Sequence, residues 1–258
     1  SSLSRLASFG AFQMQISRED RVRMERAHVL AWPALNTEHI DGWLWRSSGG
    51  GSQRANSVST IDFHGADLDT SIADAEARYQ GLGQPVRFQT FDETSPPGLA
   101  ETLHMRGYKQ SESTTTMFKR IESAGTPPDI EVRDHAWPEW HGVYLGEITE
   151  SRRAVNALIL DRIPTPHAFF GCRREGDVVA TALCVVGFGC AVIECVATRA
   201  DKRRQGAAQS AMIALETWAA KQDADLIGLQ VVSSNTPAVA LYQRLGFVAG
   251  ATNRFWVR

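Results

Sequence analysis

The stretch Ala191-Val-Ile-Glu-Cys-Val-Ala-Thr198, Arg199-Ala-Asp-Lys202, Arg203-Arg-Gln-Gly-Ala-Ala208, Gln209-Ser-Ala-Met-Ile-Ala-Leu215 decides how this chain folds. Its first part is apolar and β-branched apart from Glu194, which predicts a strand. Its last part places apolar residues at Ala208, Met212, Leu215 and Ala219, the spacing of one helix face. Between them lies a basic turn. A strand feeding a short turn and then a helix aims several backbone N–H groups at one point, and the helix dipole makes that point a site for an anion. Gly206 lets the backbone come close to such a ligand, and Arg203 and Arg204 add positive charge. The same residues also suit an ordinary helix start with a solvated arginine pair, and six residues alone do not choose.

The rest of the composition narrows the field. The chain has 258 residues, 43% hydrophobic and 22% charged, as in soluble globular proteins. A net charge of −2 gives no basic surface for nucleic acid, and no apolar run is long enough to span a membrane. The first ten residues lack the apolar core of a signal peptide. Cys172, Cys184, Cys190 and Cys195 show no metal-ligand or Cys-x-x-Cys spacing, which predicts buried free thiols in a reducing cytoplasm. His104, His135, His141 and His167 likewise show no metal spacing, so no metal is expected.

In the second half, a strand is expected over 130–133, helices over 137–145 and 151–160, and hairpin-spaced strands over 168–172, 178–186 and 190–198. The turn and long helix follow, then a strand over 226–232, a helix over 236–245 and a last strand. Arg203-x-x-Gly206-x-Ala208 resembles the acyl-CoA pyrophosphate loop of the GNAT superfamily of N-acyltransferases, Gln/Arg-x-x-Gly-x-Gly/Ala. Asn235-Thr-Pro-Ala-Val-Ala-Leu-Tyr242-Gln-Arg-Leu-Gly-Phe247 is similar to that family's Asn-x-x-Ala-x-x-Leu-Tyr-x-x-x-Gly-Phe. The two motifs stand in the family's order and elements, over roughly 128–258.

The first half reads as a strand at Gln13–Ser17, a helix to about Leu30, strands at 42–46 and 55–61 joined by the flexible loop Ser47–Ser52, a helix over 67–80, a strand over 86–91, a helix over 97–106 and a strand over 114–118. Gly107 set on Gly246 places Leu103 opposite Tyr242 and Pro96 opposite Asn235. A duplication is the expectation: an α/β (α+β) fold of two tandem GNAT-like domains, each with a mixed, mostly antiparallel twisted sheet flanked by helices. Residues 1–121 are a degenerate copy, 122–128 a linker and 129–258 the acetyl-CoA-binding domain.

The resemblance implies direct transfer of acetyl from acetyl-CoA, a co-substrate, to a primary amine within a ternary complex. The amine needs a base, the developing oxyanion a donor and the leaving thiolate a proton. Glu194 is the expected base, on one strand face with Val196 and Thr198 by simple alternation and among apolar neighbours, unless it pairs with Arg199 or Arg203. Tyr242 is the expected acid, on a short helix aimed at the cleft. The backbone at Val196, Ala197 and Thr198, the turn Arg203, Arg204, Gln205, Gly206, Ala207 and Ala208, and Asn235 are implied to hold acetyl-CoA. Asn235 also suits a helix cap. Trp137, Trp140, Tyr144, Glu147 and Glu150 suit either an aromatic cage for a cationic amine or a helix core and its solvated face. Phe255 and Trp256 are further candidates to line the acceptor cleft. The acceptor is expected to be a small-molecule or peptide amine, and the chain a monomer or homodimer. The alternative is a non-catalytic acyl-CoA-binding regulatory or protein-interaction module.

Overall fold

A computed structural model describes residues 16–258. The strand expected at Gln13–Ser17 falls mostly outside them; Ser17 instead caps the first helix, accepting a hydrogen bond from Asp20 N–H at 3.0 Å. The first half runs α1 (Arg18–Ala31), β1 (Asn36–Ile40), β2 (Trp43–Ser47), a 3₁₀ turn (Arg54–Asn56), β3 (Val58–Ser59), α2 (Leu68–Gly81), β4 (Arg87–Phe91), α3 (Leu99–Met105) and β5 (Lys109–Arg120). The second runs β6 (Ile130–Arg133), α4 (Pro138–Gly146), α5 (Glu150–Leu160), β7 (His167–Arg174), β8 (Asp177–Gly187), β9 (Cys190–Thr198), a 3₁₀ turn (Ala200–Lys202), α6 (Ala207–Ala220), β10 (Leu226–Val232), α7 (Thr236–Arg244) and β11 (Val248–Val257). No helix among the described residues is long and apolar enough to cross a membrane.

Where two sheets are expected, one is found. Its order is β1-β2-β3-β4-β11-β5-β10-β9-β8-β7-β6. The last strands of the two halves have changed places: β11 lies between β4 and β5, and β5 lies between β11 and β10. These antiparallel ladders join the halves through backbone hydrogen bonds. Read outward from the β11–β5 seam, the order is alike on both sides. The two parallel pairs, β3 with β4 and β9 with β10, are placed symmetrically about it.

Both parallel pairs are short. β3 and β4 share only Val58↔Phe88 and Ser59↔Gln89, so the strand expected over 55–61 is reduced to two residues. β9 and β10 pair from Cys190↔Leu226 to Val192↔Gly228 and then part. At Gly228 a Cβ would stand 2.6 Å from Met24 Sδ, so glycine lets α1 lie directly on the sheet where the strands begin to diverge.

The core forms above and below the sheet. On one face Met24, Ala27, Ala31 and Trp32 of the first half pack with Trp140, Ile159, Leu183, Val192 and Leu226 of the second. On the other, Ala211, Leu215 and Ala219 of α6 cover Phe170, Ala191, Ile193, Ile227 and Leu229. Trp43, Trp45, Ile72, Tyr79, Phe88, Leu103 and Tyr108 build a third cluster under α2 and α3.

Candidate active site

The parting of β9 and β10 opens the middle of the sheet, and two cavities reach into it. One, of about 760 Å³, is lined by Glu194, Gln230, the glycine loop Gly49–Gly51, Arg54, Arg87 and Phe255. The other, of about 280 Å³, lies under α6, between Met212, Ile213, Leu245 and Phe247. Ile193 lines both, so the two spaces approach each other at one residue of β9.

A bulge in β9 sets what faces each side. Leu183 pairs with Glu194, but Thr181 pairs with Ala197, so β9 carries one extra residue here. Cys195 takes it up at φ +55°, and Thr181 Oγ1 donates to the Cys195 carbonyl at 2.9 Å. The alternation predicted from sequence therefore breaks. Val192, Cys195 and Ala197 turn toward the α1 face, while Ala191, Ile193 and Val196 turn toward α6. Glu194 is on the opposite face from Val196 and Thr198, not on the same one. Beyond Val192, the β9 edge that faces β10 has no strand partner.

Nor are the surroundings of Glu194 apolar. Arg54, delivered by the 3₁₀ turn after the glycine loop, forks its carboxylate at 2.7 and 2.9 Å. The expected partners are both engaged elsewhere: Arg203 with Glu147 at 2.7 Å and Arg199 with Asp201 at 2.9 Å. The Arg54–Glu194 pair is well covered, with side-chain exposures of 23% and 11%, and Arg54 also lies 5.4 Å from the centre of the Trp32 ring. Burial opposes the charge on Arg54, yet Glu194 outweighs it and keeps the guanidinium pKa above its ordinary value. Two further groups gather here. The Tyr144 hydroxyl meets the Cys195 thiol, and burial raises the pKa of each. His28 of α1 feels the charges of Glu194 and Arg54, and burial pushes its pKa down to about 4. Its Nδ1 meets the Met24 carbonyl at 2.9 Å, and its buried Nε2 has no partner among the described residues.

On the α6 side the predicted turn is in place. Residues 203–206 are exposed, Arg204 has φ +62° and Gly206 φ +77°. A left-handed Gly206 brings the chain straight into α6, and no side chain caps the helix. The first intrahelical bond, Ser210 N–H to the Gly206 carbonyl at 3.0 Å, leaves the amides of Ala207, Ala208 and Gln209 ahead of it. Ala207 is buried against Cys172, Val179 and Ala180, and Ala208 is half-buried. Asn235 caps α7, accepting from Ala238 N–H at 3.3 Å.

Tyr242 lines neither cavity that meets Ile193. Its ring packs edge-on to Phe247 with centroids 6.0 Å apart, and burial raises its pKa. The aromatic cage is not formed. Trp137, Trp140 and Tyr144 belong to the core, and Glu147 holds Arg203. Phe255 lines the larger cavity, whereas Trp256 packs in the third cluster and donates to Thr90 Oγ1 at 2.9 Å.

Comparison with known proteins agrees with this architecture. Residues 20–256 match the family described as "Probable histone acetyltransferase Rv0428c C-terminal". The chain is 28% identical over 238 residues to the uncharacterized N-acetyltransferase YobR of Bacillus subtilis, covering 89% of this chain and 95% of that protein. A GCN5-related N-acetyltransferase from Kribbella flavida superposes with a TM-score of 0.66 at 16% identity, over 95% of this chain and 96% of the other. A tandem GNAT protein from the clavulanic acid biosynthesis pathway superposes with a TM-score of 0.62 at 12% identity, over 94% and 96%. At those identities the two structures share the fold. With the family match extending over nearly the whole chain, this protein belongs to that acetyltransferase family and is a GNAT-type N-acetyltransferase.

Proposed function

We propose that the chain moves acetyl from acetyl-CoA to an amine by direct attack, with both substrates bound together across the gap between β9 and β10. The observation that carries this reading is the meeting of two cavities at Ile193, one from each side of the sheet. The donor lies on the α6 side. The open amides at the start of α6 suit a diphosphate, and the unpaired edge of β9 suits an extended amide-bearing arm. Acetyl-CoA supplies an activated thioester. The amine enters by the larger cavity, and its nitrogen bonds to the acetyl carbon as the carbon–sulfur bond breaks. One proton leaves the nitrogen toward Glu194, directly or through water, and one reaches the sulfur from Tyr242, which burial keeps protonated and which stands behind Phe247, a wall of the smaller cavity. Holding both reactants in one geometry removes the need for a covalent enzyme intermediate.

The matching strand order on either side of the β11–β5 seam supports a tandem origin, with residues 1–121 as the degenerate copy. In that copy the segment leading from β3 to α2 is Asp62-Phe-His-Gly-Ala-Asp67, with no basic turn. Its present use is to supply Arg54, the glycine loop and Arg87 to the acceptor cavity. The matched family's description names histones, which makes a lysine side chain one acceptor to test.

Calorimetric titration with acetyl-CoA, followed by thiol release on adding amines, tests the proposal. One site per chain with amine-dependent thiol release is the expected result. No binding, or binding without thiol release for any amine offered, would overturn it.

A further inference from the structure

The acceptor cavity carries charges that the protein does not balance. Arg54 and Glu194 neutralise each other. Arg87, the first residue of β4, is half-buried, and among the described residues it has no carboxylate partner. Its one hydrogen bond goes from Nη1 to the Asn56 carbonyl at 3.2 Å, and its Nε is buried with no partner at all. Burial lowers its pKa, and the Tyr79 hydroxyl nearby offsets only part of that. Arg152, exposed on α5, lines the same cavity and donates from Nε to the Gly51 carbonyl at 2.8 Å, again without an ion pair among the described residues. Glu112, exposed on β5, is a third unpaired charge, of opposite sign, and it reaches neither arginine.

A half-buried guanidinium with spare donors favours an anion, and its planar fork suits a carboxylate best. A cavity of about 760 Å³ is of small-molecule size. We infer that the acceptor is a small amine that carries its own carboxylate, an amino acid or a close relative, and that Arg87 reads that carboxylate while the amine faces Glu194 at the gap. This rests on the acetyltransfer reading above. A lysine side chain of a protein would bring no carboxylate to Arg87.

The test is steady-state kinetics with acetyl-CoA and matched pairs: the common amino acids, their carboxamides, and a lysine-containing peptide with blocked ends. We expect a subset of the amino acids to be acetylated, with kcat/KM at least about tenfold above the matching amide. Arg87→Ala should raise KM for the amino acid and bring its kcat/KM down toward that of the amide. Arg87→Lys, which keeps the charge but not the fork, should fall between. Acetyl-CoA titration of each variant reports whether the donor side is folded. The inference is overturned if amides match acids in the unaltered chain, if the peptide is acetylated and no amino acid is, or if Arg87→Ala keeps the preference. If acetyl-CoA binds and no amino acid reacts, it also falls. Only failure to bind acetyl-CoA, or to react with any amine, counts against the acetyltransfer reading itself.

Discussion

Arg54 grips Glu194 with both terminal nitrogens, at 2.7 and 2.9 Å, across 140 residues of sequence. A carboxylate on β9 of the second half is thereby aimed by a turn of the first. The glycine loop before Arg54 is itself tied down, since Asn56 Nδ2 donates to the Gly50 and Ser52 carbonyls, both at 2.7 Å. The pair therefore ties the larger cavity to the gap between β9 and β10, and it is the first place to test.

Removing either partner leaves a covered charge alone. Arg54→Met and Glu194→Gln should each cost about 2–4 kcal/mol in urea denaturation, and the double variant clearly less than their sum. Simple additivity would mean that the two groups do not depend on each other. Glu194→Gln should also slow transfer by about 10²–10⁴-fold with little change in acetyl-CoA affinity, and retained turnover would remove Glu194 as the base.

Tyr242→Phe separates chemistry from packing. The ring and its contact with Phe247 remain, so stability should move by less than about 1 kcal/mol. Turnover should fall at least about tenfold while acetyl-CoA affinity holds. Unchanged turnover would leave Tyr242 as a packing residue under α7.

Arg203 and Arg204 are predicted to bind through charge. Replacing both with Ala should weaken acetyl-CoA binding about tenfold or more, and the loss should shrink as salt rises. Arg203 is held by Glu147 at 2.7 Å, so Glu147→Gln should tighten binding modestly by releasing it. Calorimetry at two ionic strengths checks both. Equal affinity in the double Ala variant would move the diphosphate elsewhere.

Stability should depend on pH through two buried groups of α1. Burial raises the Glu25 pKa from 4.5 to about 8 and lowers that of His28 from 6.5 to about 4. Below 4.5 the folded and unfolded chains both keep the Glu25 proton. From 4.5 to 8 only the folded chain keeps it, so this contribution falls as pH rises. For His28 the unfolded chain holds the extra proton between 4 and 6.5, so its contribution falls as pH drops through that range. The two slopes oppose each other between 4.5 and 6.5, which predicts a stability plateau there and a decline toward pH 8. Glu25→Gln should remove the upper decline and be more stable than the unaltered chain at pH 8, on the order of 4 kcal/mol. Parallel melting curves from pH 5 to 8 would sink the assignment.

Much of this was readable in the sequence where a local pattern forces a local structure. β9, the turn at Gly206 and α6 follow from β-branched content, a glycine with no alternative and an apolar repeat. β1 is not legible in the sequence, because Asn36-Thr-Glu-His carries no apolar alternation. It is an edge strand with four of its five residues exposed. Period-two reasoning put Glu194 with Thr198 because nothing in Glu-Cys-Val marks an extra residue at Cys195. Arg54 stands in the sequence just after a glycine run, and nothing local marks it as an ion-pair partner. Its partner is set by strand order, which a linear pattern does not contain.

The exchange of β5 and β11 makes time of synthesis a structural variable. β4 needs β11 beside it, and β11, ten residues long, follows every other described element. As the protein emerges from the ribosome, its first half has β1 to β4 ready but waits for a neighbour made only after β10 and α7. The exposed edge of β4 must be kept from other partners until then, and the making of β11, rather than appearance of the first half, should be the event that closes the sheet.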